Sequence, residues 1–124
     1  MTTGEPAHVS DLLGTPGRIT ALVGGGGKTT LLHGLGTYLG RRAVLTTTTQ
    51  MAADEVGGAR LLLGPSRDEI AEAVADDDPR PVLVWSRIAD KASGGPKGLG
   101  VDRDAPSSWL ALVDHVLVEA DGSR

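Results

Sequence analysis

The chain has 124 residues and a formal net charge of −4. That length suits one domain burying about two thirds of its unfolded surface, and the acidic balance speaks against non-specific binding to nucleic acid or a membrane surface. Cysteine is absent, which excludes disulfides, thiolate metal sites and cysteine nucleophiles.

Apolar residues make up 40 % of the chain, with no Phe, two Trp and one Tyr, so Leu, Val, Ile and Ala must build the core. His8, His33 and His115 are too far apart in sequence to form a ligand pattern. No apolar run approaches the roughly 20 residues that span a bilayer. The opening MTTGEPAHVSDLLG has neither a basic start nor an apolar core, so it is not a signal peptide. A cytoplasmic protein is expected.

Residues 1–16 read as a polar lead-in with one helical turn at Val9–Leu13, and residues 17–124 as a single folded unit. Arg18–Val23 (RITALV) is predicted to be a buried strand running straight into Gly24, Gly25, Gly26 and Gly27. Leu31, Leu32, Leu35, Tyr38 and Leu39 then recur at the spacing of one helical face. Gly40 suits the left-handed position that closes a helix, and Arg41 and Arg42 suit its negative end. Gly34 and Gly36 weaken this helix by about 1 kcal/mol each relative to Ala, and their expected purpose is close packing on a sheet.

Ala43–Thr48 (AVLTTT) is the next predicted strand. Gln50–Gly58 is expected to be a loop or short helix, and Arg60–Leu63 a short peripheral strand. Ser66 and Glu69 match a capping box, with Ile70, Ala73 and Val74 continuing the helix. Asp76-Asp77-Asp78 reads as the solvated turn that ends it. Pro81–Trp85 (PVLVW) is a buried strand, Ser86–Ala105 a long loop, and Pro106 the first turn of a short helix carrying Trp109, Leu110 and Val113. The final strand is His115–Ala120 (HVLVEA), followed by Asp121-Gly122. Alternating strands and helices with near-continuous apolar strands predict a three-layer α/β fold, its mainly parallel sheet covered by helices on both faces.

Strand, glycine-rich turn and helix together form the context of a phosphate-binding loop. Gly24–Gly27 leave room for backbone N–H groups to turn toward an anion at the positive end of the helix. Lys28 would reach the terminal phosphates, Thr29 would complete the shell of a Mg²⁺, and Thr30 continues the motif. The match to G-x-x-x-x-G-K-S/T is incomplete, because Leu22 stands where the first glycine belongs. In a parallel sheet ligands gather at the carboxyl ends of strands. Glu119 and Asp121 point the same way there and could approach one metal. Thr46–Thr49 end the second strand: either threonine is there as a good strand former, or Thr48 and Thr49 turn hydroxyls toward phosphate or metal.

In these three motifs, GGGGKTT, the threonine run and VLVEADGS, the chain resembles the accessory proteins of selenium-dependent molybdenum hydroxylases, the YqeC family. The resemblance covers Arg18 to the last residue. It implies a P-loop NTPase-like fold and a link to maturation of those molybdenum enzymes, which would be the partners. More distantly, LVGGGGKTT is similar to the loop of the SIMIBI NTPases, with Val23 in place of that class's first lysine. The resemblance gives Lys28 to phosphate, Thr29 to Mg²⁺, Glu119 or Asp121 to metal or water, and Gly122 to sensing the terminal phosphate. Lys28, Glu119 and Asp121 are thus the expected catalytic residues. Lys97-Gly98-Leu99 in the long loop also looks like a family feature. The family continues well beyond Asp121-Gly122, so the resemblance implies the N-terminal part of a domain whose base-reading segment lies elsewhere. ATP and GTP therefore stay open as ligands. Beside Mg²⁺-dependent hydrolysis stand two alternatives, a small-molecule kinase and a nucleotide-binding module without turnover.

Overall fold

The computed structural model describes residues 18–23, 27–91 and 95–120. The expected turn at Val9–Leu13, the loop glycines Gly24, Gly25 and Gly26, and Asp121 and Gly122 lie outside these residues. Chain order is β1 (Arg18–Leu22), α1 (Lys28–Leu39), a 3-10 turn (Gly40–Arg42), β2 (Ala43–Thr47), β3 (Gln50–Ala52) and β4 (Arg60–Leu63). There follow α2 (Arg67–Ala75), β5 (Val82–Trp85), β6 (Arg87–Lys91), β7 (Gly95–Leu99), α3 (Ala105–Ser108) and β8 (His115–Glu119).

Five strands form a parallel sheet in the order β1-β8-β2-β5-β4. The short strand β4 is peripheral, and β8 inserts between β1 and β2. Residues of β2, β5 and β8 are buried throughout, as expected for strands covered on both faces. Leu45, Leu83 and Leu117 pack with Leu32 and Leu39 of α1 on one face. Val44, Val82, Val84, Val116 and Val118 pack with Ile70 of α2 and with Trp109 and Val113 on the other. The sequence alternation thus becomes two apolar cores separated by one sheet.

On α1 the expected stripe is narrower than predicted. Leu32 and Leu39 are buried and Leu31 and Leu35 partly so, while Tyr38 is 70 % exposed. Gly36 is a packing glycine: a Cβ there would lie 2.8 Å from Leu45 Cδ1. Gly34 is not, since nothing lies within 4 Å of its would-be Cβ. Gly40 has φ 67° and its N–H donates to Gly36 O, closing the helix before the 3-10 turn. At α2 the capping box is complete, with Glu69 N donating to Ser66 Oγ at 3.1 Å and Ser66 N to Glu69 Oε1 at 2.7 Å. The acids after α2 build a turn. Asp78 N donates to Asp76 Oδ1, and Arg80 donates to both Asp78 oxygens, holding that carboxyl well below the usual carboxylate range.

Two segments differ from the expected loops. Gln50–Ala52 is strand β3, and Ser86–Ala105 contains the β6–β7 hairpin, giving a separate antiparallel sheet of order β3-β7-β6. Backbone ladders and tertiary packing stabilise these strands where side-chain propensity is weak. Gly98 lies flat against Trp85, with a would-be Cβ 2.1 Å from its Cδ2. The helix expected from Pro106 through Val113 is a single turn, and Trp109, Leu110 and Val113 follow it in irregular backbone that still packs on the sheet. No helix among the described residues is long and apolar enough to cross a membrane.

Candidate functional site

Gly27 begins the site. Its φ of 91° is a left-handed conformation that side chains rarely adopt, and its carbonyl accepts the first helical bond, from Leu31 N at 3.0 Å. The turn therefore delivers Lys28 and Thr29 to the first turn of α1, where N–H groups lack helical acceptors and the helix dipole is positive.

Both side chains reach the end of β8, some ninety residues away in sequence. Thr29 Oγ1 donates to Glu119 Oε2 at 2.7 Å. Lys28 Nζ donates to the backbone oxygen of Ala120 at 3.2 Å. Glu119 is 5 % exposed, and the register places it beside Leu22 of β1 and Thr47 of β2. The sheet thus holds a nearly buried carboxylate under the start of α1, beside a cation and a hydroxyl. Three of the expected site residues, Lys28, Thr29 and Glu119, meet at one point.

The threonine run divides by strand alternation. Thr46 faces the second core, where its hydroxyl donates to Val84 O at 2.6 Å. Thr47 Oγ1 donates to Glu119 O at 2.9 Å, which leaves it to accept from Thr49 N and from the Thr49 hydroxyl, each at 3.1 Å. Thr48 N donates to the same Glu119 oxygen at 3.2 Å. The Thr48 side chain lines a cavity of about 360 Å³ with Ile19, Ala21, Val118 and Ala120, on the sheet face away from α1. Thr30 is exposed on the first turn of α1.

Thr47 was the residue that the sequence reading overlooked. The signal was present: positions 43, 45 and 47 alternate onto the α1 face, but a run of four threonines gives no clue to its register. A second overlooked contact ties the small sheet to the same edge. Gly100 N donates to Thr49 O and Val101 N to Thr47 O, and a Cβ on Gly100 would lie 2.5 Å from Thr47 O. Lys97 lies on strand β7, next to the Gly98 that covers Trp85. Alternation turns the Lys97 side chain to the opposite face of that sheet.

Comparison with known proteins is decided by one match. The sequence pattern of the YqeC protein family matches residues 20–124. The chain belongs to the YqeC family. The matched span begins inside β1 and takes in Lys28, Thr29, the threonine run and Glu119, so the family pattern includes the whole site described here. No curated protein and no solved structure matches the chain.

The donor set fits magnesium, which takes oxygen ligands and is commonly held by one or two protein groups together with phosphates and water. Thr29 Oγ1 and the Glu119 carboxylate are oxygen donors already in contact. Among the described residues no three His, Cys, Asp or Glu side chains converge as a metal cage. A cation here would depend on the phosphates of its ligand.

Proposed function

We propose that this YqeC family member binds ATP or GTP with Mg²⁺ at the amino end of α1 and hydrolyses it. In this reading it acts in the cytoplasm as an accessory protein in maturation of a selenium-dependent molybdenum hydroxylase. The observation that carries the reading is the 2.7 Å contact between Thr29 and Glu119, with Lys28 held at Ala120 O alongside. A helix start, an ammonium, a hydroxyl and a buried carboxylate at the carboxyl edge of a parallel sheet are what a nucleotide phosphate chain requires. The partners would be the molybdenum hydroxylase or its other maturation proteins.

In this reading the first-turn amides of α1 and the loop glycines Gly24–Gly27 bind phosphate oxygens, with Thr30 beside them. Lys28 leaves Ala120 O for the terminal phosphate and stabilises the charge that develops during phosphoryl transfer. Thr29 and Glu119 hold Mg²⁺, which neutralises phosphate charge when bound. Glu119 also orients the attacking water, with Asp121 in the same role and Gly122 sensing the terminal phosphate. Thr49 closes the site at the end of β2, while Thr48 turns to the opposite face of the sheet.

Fluorescent ATP and GTP analogues, titrated with Mg²⁺ into wild type and Lys28→Ala, test the reading. Micromolar binding, weakened about tenfold or more in the variant, is expected for loss of a charge-assisted contact. A folded wild-type chain that binds neither nucleotide overturns it. Phosphate release assayed on the same samples separates hydrolysis from a module that binds without turnover. A phosphorylated metabolite in place of free phosphate would mark a kinase.

A further inference from the structure

At the end of β8 opposite Glu119, two buried polar atoms have no hydrogen-bond partner: Arg18 Nε and His115 Nδ1. They belong to neighbours, since Arg18 and His115 are paired in the parallel register of β1 and β8. Their side chains therefore rise from the same face of the sheet on strands roughly 5 Å apart. His115 is 3 % exposed. On its other side the register gives Ala43, whose methyl group has no polar atom to offer. The nearby backbone is already engaged, because Asp114 O accepts from Arg18 N at 3.2 Å.

Arginine Nε–H is a donor only, whereas histidine Nδ1 donates or accepts according to its protonation. One oxygen atom seated between the two would satisfy both, and leaving buried donors unmade is costly. Charge distinguishes water from an anion as the source of that oxygen. Arg18 and Arg42 both act on His115 as cations, and Asp114 is the anion that opposes them. Asp114 lines a cavity of about 260 Å³ together with Arg41, Arg42, Val74 and Ala75. Two arginines, Arg18 and Arg42, stand against one aspartate around His115, so this edge is net positive, and more so when His115 is protonated.

We infer that this amino edge of the sheet binds a small tetrahedral oxyanion of the phosphate class, bridged between Arg18 Nε and His115 Nδ1 with Arg42 adding charge. Such an anion supplies the missing acceptor and the missing counter-charge together. His115 would donate to it, so binding raises the histidine's proton affinity. The site is separate from the proposed nucleotide site. Four residues of extended β8 put His115 about 13 Å from Glu119.

The test is an NMR titration of His115 in the full chain, in inorganic phosphate and in chloride at equal ionic strength. Phosphate is expected to raise the His115 pKa by about one unit, a tenfold change in proton affinity, in wild type and equally in Lys28→Ala. Arg18→Lys keeps the charge but removes the Nε donor, and should abolish the shift. If that variant fails to fold, Arg42→Gln at an exposed position should still reduce it. A His115 titration indifferent to phosphate overturns the inference, and a buried water then satisfies the pair. A shift that vanishes in Lys28→Ala overturns it as well, since phosphate would be acting at the loop. So does a shift unchanged in both arginine variants, which would be general screening.

Discussion

His115 is a buried imidazole whose charge state matters to the fold. Burial, the leading cause, pushes its pKa below the ordinary 6.5; Asp114 opposes the fall, and Arg42 and Arg18 add to it. The folded chain therefore keeps His115 neutral to lower pH than the unfolded chain does. As pH drops below about 6.5 the unfolded state takes up the extra proton, so this share of stability is present above that value and lost beneath it. Chemical denaturation in phosphate-free buffer should show stability falling from about pH 7 to about pH 5, and His115→Gln should flatten that slope. At the other end of β8, Thr46→Val removes the buried bond to Val84 O, and Thr47→Val removes the buried bond to Glu119 O with those from Thr49; each should cost about 1–2 kcal/mol or more. In the proposed function Thr47→Val also weakens nucleotide binding, because it releases the Glu119 backbone, whereas Thr46→Val leaves affinity unchanged. Lys28, Thr29 and Glu119 were legible in the sequence because glycines, a helix start and an acid ending an apolar strand each leave a local mark. Thr47 was not, because its role depends on a register with a strand seventy-two residues away.

At the scale of the element, glycines that look alike in sequence behave differently. Gly34→Ala should stabilise α1 by up to about 1 kcal/mol, since its space is open and alanine is the better helix former. Gly98→Ala should destabilise by about 1–3 kcal/mol, because its Cβ would enter the Trp85 ring and the core must shift to admit it. Urea denaturation of the two variants checks the opposite signs, and a fluorescence change at Trp85 should accompany only the second. Main-sheet strands were readable because their apolar runs are short, rich in branched residues and bounded by turns. The β6–β7 hairpin was not, since Gly95-Pro96-Lys97-Gly98-Leu99 has neither alternation nor strand propensity. Its strand character comes from the ladder to β3 and β6 and from the indole beneath it.

For the whole molecule, α/β alternation in the sequence carries the class, the mainly parallel sheet and the helices on both faces. The second, antiparallel sheet was not foreseen. Contacts between β2, β5 and β4 are more local than those of β8 with β1 and β2, and loop-closure entropy favours the nearer pairings first. Leu117→Ala in β8 should therefore cost about 2–5 kcal/mol and appear mainly in the unfolding rate, while Leu45→Ala in β2 should slow folding. Stopped-flow kinetics on the two variants distinguishes these outcomes.

The central place of β8 has a consequence for how the protein is made. When a ribosome has delivered the chain through β5, β1 and β2 both exist, yet the slot between them is empty. Their facing edges could zip directly to each other, because nothing in either backbone forbids it. A nascent chain must leave that gap open until the last of these strands arrives. Glu119 sits on that strand, so under the proposed function an incompletely threaded chain has no competent site. Nucleotide affinity would then act as an inspection step, binding chains whose sheet has closed and holding them closed by mass action.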